Sequence, residues 1–238
     1  MKKYLYFLLI CLSMVSFSSC DSENSKDDSK ITHFVEITLK GDTYIHLRVN
    51  DDTYVEPGYT ATEGSEDVTA NVVVTGTVDT STIGAYILKY SCVNTDGFSI
   101  STSRCVYVTA TPLTTDISGN YTVDAANSYR INSGKKASFA GNFGVTITST
   151  AYTGFYIVSD LFGGWYDQGA SYGSNYAAYG HISLNSDNSI SYMDSSVAGW
   201  GDSCTGLDNT SYNAATNTLT WDAGYAGKMV FHVVLIKN

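Results

Sequence analysis

Ala85-Tyr-Ile-Leu-Lys-Tyr-Ser-Cys-Val93, Asn94-Thr-Asp-Gly97 and Phe98-Ser-Ile-Ser-Thr-Ser-Arg-Cys-Val-Tyr-Val108 form one continuous stretch. Two runs rich in Ile, Val, Tyr and Thr flank an Asn/Asp-Gly cluster, the chemistry of a tight turn between antiparallel strands. The pattern repeats outward. His33–Leu39, Tyr44–Val49 and Val68–Val78 read as further strands, separated by Gly-Asp, Asn-Asp-Asp and Pro-Gly turns. Short strands at this spacing predict a β-sandwich over residues 32–111.

Thr111-Pro-Leu-Thr-Thr115 opens a short hinge, residues 112–118, because proline lacks a ladder donor. From Gly119 a second β pattern begins and runs to residue 238. Strands are expected at Gly119–Val123, Ser128–Asn132, Gly144–Thr148, Phe155–Val158, Ala177–Leu184, Ser189–Met193, Thr218–Trp221 and Met229–Ile236. About eight antiparallel strands suit a meander barrel or sandwich whose first and last strands pair to remove edges. No segment carries a convincing amphipathic helix. The fold class is therefore all-β throughout.

Composition agrees. Charged residues are 15% of the chain, against a usual share of about a quarter, while Gly (21) and Tyr (19) are abundant and Pro (2) is scarce. The net charge is −10. Removal of Lys2 and Lys3 with an N-terminal leader leaves 11 of the 13 basic residues against 23 acidic ones, near −12. That balance excludes nucleic acid as a partner, since phosphates demand a basic face. It equally excludes direct binding to an anionic lipid surface.

The leader itself is legible. Met1-Lys-Lys precedes an apolar run from Tyr4 to Phe17, too short for roughly 30 Å of hydrocarbon and placed where a secretory signal belongs. Ser18-Ser19-Cys20 follows, and the whole resembles a bacterial lipoprotein signal, with Phe17 where Leu is usual and Ser19 where Gly or Ala is commoner. The resemblance implies cleavage after residue 19 and acylation of Cys20 by palmitate-type chains, several of which anchor stably. An ordinary cleaved signal, with Cys20 incidental, is the alternative. Residues 20–31 read as a solvated tether. Their Ser-Lys-Asp-Asp core resembles the acidic signals that send Bacteroidota lipoproteins to the outer face of the outer membrane; a plain spacer is the bland reading.

Two further resemblances follow from ordered motifs. Tyr54-Val-Glu-Pro-Gly-Tyr-Thr-Ala-Thr-Glu-Gly64, Val74-Thr-Gly-Thr-Val-Asp79, Gly84-Ala-Tyr86 and Ser103-Arg-Cys-Val-Tyr-Val108 resemble the Ig-like domain of bacterial surface proteins and of some insecticidal crystal proteins. Tyr86 falls where such sandwiches place a tyrosine corner, its hydroxyl bonded to backbone. Such domains usually serve as spacers. Asp160-Leu-Phe-Gly-Gly-Trp-Tyr-Asp-Gln-Gly169, Gly199-Trp-Gly-Asp-Ser203 and Thr218-Leu-Thr-Trp-Asp222 resemble the C-terminal domain of Bacteroidota surface lipoproteins carrying the same Ig-like module. That resemblance implies company with polysaccharide uptake systems and no catalytic residues.

Three cysteines remain beyond Cys20. With a turn at Asn94–Gly97, residue 92 lies opposite about 99, too far along the strand from Cys105 for a bridge of about 7 Å Cα–Cα reach. Free thiols are expected, and Cys204 has no evident partner. All three tryptophans and eleven of the nineteen tyrosines lie beyond residue 118. Glycines beside aromatic rings, with amide and carboxylate neighbours, give the flat apolar plate and directional acceptors that sugars need. Trp165, Tyr166, Asp167, Gln168, Trp200 and Asp202 are the expected ligand contacts, and Trp221, inside an alternating strand, is expected in the core.

Other chemistries read weakly. Gly169-Ala-Ser171-Tyr-Gly173 matches the nucleophile-elbow string, but that motif has meaning only between a strand and a helix. His181 and His232 sit in strands as satisfied sheet residues. The four histidines lack paired zinc spacing, and Asp51, Asp52, Glu63, Glu66 and Asp67 form no spaced calcium loop. No cofactor is expected. The leading expectation is a non-catalytic glycan-binding surface lipoprotein with exposed, coplanar rings at Trp165 and Trp200. The alternative is a structural, adhesive or transporter-associated protein that interacts with other proteins; an enzyme stands third.

Overall fold

The computed structural model describes residues 31–111 and 114–238. The leader, Cys20, nearly all of the tether, and Pro112-Leu113 of the hinge lie outside the described residues.

The N-terminal module has seven strands: β1 (Val35–Leu39), β2 (Tyr44–Arg48), β3 (Tyr59–Glu63), β4 (Glu66–Asp67), β5 (Val73–Thr75), β6 (Gly84–Val93) and β7 (Ser99–Thr109). They form two sheets, β1-β3-β4 and β2-β7-β6-β5, with β2 parallel to β7. Val35, Ala61 and Cys92 pack between them with Ile37, Val68 and Val72. The β6–β7 turn falls where the sequence puts it: Asn94 and Phe98 bond across it, and Gly97 N–H donates to Asn94 O at 3.0 Å. Cys92 faces Ile100 and Cys105 faces Ile87, and Cys92, Cys105 and Cys204 are all free. Tyr86 donates to Thr82 O at 2.8 Å, the expected corner.

Three elements differ from expectation. The strand expected over Val68–Val78 is broken, because Asp67 accepts the Thr69 N–H and Thr69 Oγ1 accepts the Ala61 N–H, both at 2.9 Å. These side-chain bonds favour a turn at Thr69–Asn71 over extended backbone. β3, Thr-rich and lodged between two glycine turns, and the two-residue β4 are strands that the alternation pattern does not mark.

Arg104 holds the module's loops together. Its fully buried guanidinium donates to the carbonyls of Asp42 (2.6 Å), Lys40 (2.8 Å) and Gly58 (3.2 Å), and pairs with Glu56 at 3.3 Å. Tyr54 and Tyr90 both donate to Glu56. Burial raises the Glu56 pKa, but these hydrogen bonds and the Arg104 charge outweigh it and hold the carboxyl below its usual range.

The C-terminal module has ten strands: β8 (Gly119–Val123), β9 (Tyr129–Asn132), β10 (Lys135–Ser138), β11 (Gly144–Ser149), β12 (Phe155–Val158), β13 (Tyr179–Leu184), β14 (Ile190–Ser196), β15 (Gly206–Asn213), β16 (Thr218–Tyr225) and β17 (Met229–Lys237). Eight of them curl in the order β15-β16-β17-β8-β11-β12-β13-β14. The ends approach through Thr210 Oγ1, which bonds both the N–H (2.8 Å) and the carbonyl (2.9 Å) of Ile190. First and last strands pair, Leu235 opposite Val123. The β9–β10 hairpin adds to the front half of β17. The strands not foreseen are β10, an exposed Lys-Lys-Ala-Ser edge, and β15, whose register breaks between Asp208 and Ser211.

Trp221 anchors this core at 0% exposure, its indole N–H donating to Leu161 O at 2.8 Å. Tyr121 repeats the corner device, bonding Ile117 O at 2.6 Å. The modules touch: Tyr107 packs with Phe155 and Met193, and its hydroxyl donates to Asp194 across the junction.

Candidate functional site

The aromatic loops between β12 and β13 are built on one buried carboxylate. Asp160 accepts the N–H groups of Phe162 (2.8 Å), Gly164 (2.9 Å) and Ala178 (2.9 Å), tying both ends of the loop together. Burial pushes its pKa up to about 6 against the pull of those three donors. Gly164, at φ +80°, lets the chain turn beneath Phe143, where a Cβ would meet the Phe143 Cβ at 2.6 Å. A wide helical turn, Trp165–Gly169, follows, closed by Gly169 N–H to Gly164 O (2.8 Å) and Ala170 N–H to Trp165 O (2.9 Å). Turns bonded five residues back are rare and concentrate at functional sites.

That turn sends its side chains to two faces. Trp165 is half-buried, edge-on to Phe139 at 4.9 Å, with the Arg130 guanidinium 4.6 Å over its ring. It lines a groove of about 320 Å³ with Phe143, Ala137 and Ala140. Gln168 spends its amide on the Gly144 backbone, accepting the N–H at 3.0 Å and donating to the carbonyl at 2.8 Å. The Asp167 carbonyl accepts the Gly173 N–H at 3.2 Å.

Tyr166 points to the other face and meets Trp200 at 4.8 Å, nearly perpendicular. Trp200 rides a tight turn in which Trp200 and Gly201 N–H groups both donate to Val197 O. It is 41% exposed, and Tyr172 beside it is 56% exposed. Tyr176 stands edge-on to Trp200 at 4.8 Å and presses against Gly199, where any Cβ would lie 2.6 Å from its ring. Trp200, Tyr172 and Tyr176 enclose a shallow hollow of about 320 Å³. Asp202 takes the Tyr225 hydroxyl on both oxygens, at 2.8 and 3.0 Å, and Tyr225 lies 5.9 Å from Trp200.

Of the six residues read from sequence, the structure brings Tyr166, Trp200 and Asp202 together. It sets Trp165 and Gln168 apart and leaves Asp167 half-buried in the same turn, so the two indoles share no common plate. Tyr172 and Tyr176 complete the hollow; of the two, only Tyr172, next to Gly173, carries the ring-beside-glycine signal. Ser171 lies in a loop of an antiparallel module, not between strand and helix. His181 and His232 each bond an aspartate through Nδ1 at 2.6 Å, to Asp194 and Asp222. Among the described residues no cluster of three His, Cys, Asp or Glu could hold a metal, and no helix is long and apolar enough to cross a membrane.

An Ig-like sandwich joined to a curled β module with an aromatic rim defines a class of modular bacterial surface proteins. The Bacterial surface protein, Ig-like domain family matches residues 37–108, and a family described as a C-terminal domain matches 110–237. The solved lipoprotein BT2262 of Bacteroides thetaiotaomicron is 39% identical, covering 86% of this chain and 100% of that one, with a TM-score of 0.49. This chain belongs to that lipoprotein family. A ZmpB fragment of Clostridium perfringens, CBM51-2 with GlcNAc and INT domains, is 18% identical over 52% of this chain and 29% of that one. Its TM-score of 0.27 is too low to bear on this chain. No curated protein matches.

Proposed function

We propose that this chain is a non-catalytic glycan-binding lipoprotein, anchored through Cys20 at the outer membrane and displayed at the cell surface. The observation that carries the reading is the hollow of Trp200, Tyr172 and Tyr176: two exposed rings and one half-buried, with the Asp202 carboxylate held nearby. A sugar lays its C–H face on the indole while its hydroxyls meet polar edges. One such hollow binds weakly, and many anchored copies on a polymer supply the retention. Affinity electrophoresis of the full chain through plant, host and microbial polysaccharides tests this. Retardation in at least one gel, lost on Trp200→Ala, is expected; unchanged migration in all of them refutes it.

A second reading, docking onto a partner protein such as an outer-membrane transporter, draws on a different feature. Phe34 and Phe98 stand exposed, 5.6 Å apart, where β1 begins and β6 turns into β7. A stoichiometric membrane partner lost on Phe98→Ser, with migration through every gel unchanged, would favour it.

A further inference from the structure

The junction between the modules encloses a cleft of about 570 Å³, larger than either hollow on the aromatic loops. Its floor is closed by rings. His46 of β2 stacks on Tyr152 at 3.7 Å and stands edge-on to Phe155 at 4.3 Å, while Phe155 stacks on His181 at 5.3 Å. Asp194 lies within, taking the His181 Nδ1 contact at 2.6 Å and the Tyr107 hydroxyl. Its carboxylate still keeps 37% of its side chain exposed. The rim is Tyr44 and Ile87 from the Ig-like module, facing Tyr152 and Tyr179 from the barrel, and all four are exposed.

The chemistry of this lining is specific. Flat rings offer stacking faces, and the Tyr44, Tyr152 and Tyr179 hydroxyls point to no hydrogen-bond partner among the described residues. The one carboxylate repels acidic sugars and accepts hydroxyl donors from neutral ones. The cleft also adjoins the Trp200 hollow. Tyr179 and Ser196 form a rung of β13–β14, and Tyr176 and Trp200 lie three and four residues beyond it. At roughly 3.4 Å per residue, at most about 14 Å of chain separates the two.

We propose that this cleft is a second subsite, seating a neutral hexose of the same glycan whose neighbouring residues rest on the Trp200 hollow. This inference rests on the glycan reading of that hollow. It makes the Ig-like module part of the receptor instead of a spacer, since Tyr44, His46 and Tyr107 supply one wall.

Two linked subsites favour longer ligands. Calorimetry on the full chain with neutral gluco-, manno- and galacto-oligosaccharides, from dimer to hexamer, reads this directly. The series that binds is expected to gain at least about tenfold in affinity from dimer to hexamer. Tyr44→Ala, an exposed position at the start of β2, should erase that gain and leave dimer binding in place. Trp200→Ala should weaken every length. A gain that survives in both Tyr44→Ala and Tyr179→Ala overturns the cleft and leaves the hollow standing. Loss on Tyr44→Ala with none on Trp200→Ala keeps the cleft as a sugar site and discards the hollow. Binding to no oligomer overturns both.

Discussion

Trp165, Trp200 and Trp221 show how one side chain takes three roles according to what surrounds it. Trp221 is sealed in the barrel with its N–H bonded to Leu161 O. Trp221→Ala removes that bond and opens a large cavity, so a loss of about 3–5 kcal/mol is expected in chemical denaturation. Trp165 is half-buried between Phe139 and Arg130 and lines a separate groove. Trp200 keeps a free face, and its edge contacts with Tyr166 and Tyr176 are worth about 0.5–1.5 kcal/mol each. Trp200→Ala should therefore cost far less stability than Trp221→Ala, while lowering retardation in any binding polysaccharide at least about tenfold. Parallel denaturation and affinity electrophoresis of the two variants separate a binding residue from a core residue.

Among the elements, the buried Asp160 decides the geometry of the aromatic loop. In Asp160→Asn one oxygen can still serve Phe162 and Ala178, but the amide nitrogen then faces the Gly164 N–H, donor against donor. About 1–3 kcal/mol should be lost, with altered near-ultraviolet dichroism as Trp165 and Tyr166 loosen. An unchanged spectrum would show that the loop holds without this carboxylate. Nothing in the local sequence pattern marks Asp160 as buried, because one acidic residue beside Leu-Phe-Gly-Gly reads as a turn. What was legible follows the same logic. Asn94–Gly97 and Tyr86 announce themselves through local turn chemistry, and Phe155–Val158, Thr218–Trp221 and Met229–Ile236 through β-branched and aromatic runs, though β16 runs on to Tyr225. β10 and β15 carry polar residues on an edge or a bulge, so period alone misses them. The aromatic rim was half legible: ring-plus-glycine composition pointed to Trp200 and Tyr166, but backbone geometry turned Trp165 to the opposite face. The interdomain cleft was invisible, since its walls come from β2, β6, β7, the β11–β12 turn, β12, β13 and β14.

Across the whole molecule, the junction joins two independent cores through a histidine that must stay neutral. Burial, then the charges of Arg48 and His181, lowers the His46 pKa to about 4 from its ordinary 6.5. Asp194, Tyr107 and Cys105 face the junction too, beside His181 and the rim tyrosines Tyr44, Tyr152 and Tyr179. Burial raises Cys105 to about 11 and lifts Tyr107 well above its usual range, so neither changes charge near neutrality. Asp194 is raised by burial, yet its bonds to His181 and Tyr107 outweigh that and hold it below the usual carboxylate range. The sign for His46 is fixed by linkage: between pH 6.5 and about 4 the unfolded chain binds a proton that the folded chain refuses. Its contribution to stability is full above 6.5 and drains away as pH falls through that window. Asp194 adds its own loss only below the ordinary aspartate range. His46→Phe keeps the stack on Tyr152 and also removes the buried Nε2, which has no hydrogen-bond partner. The variant should be no less stable than the parent at pH 7, with a flatter fall in melting temperature between pH 6.5 and 4. Calorimetric scans across that range decide it: parallel slopes in both proteins would place the acid sensitivity elsewhere than the junction.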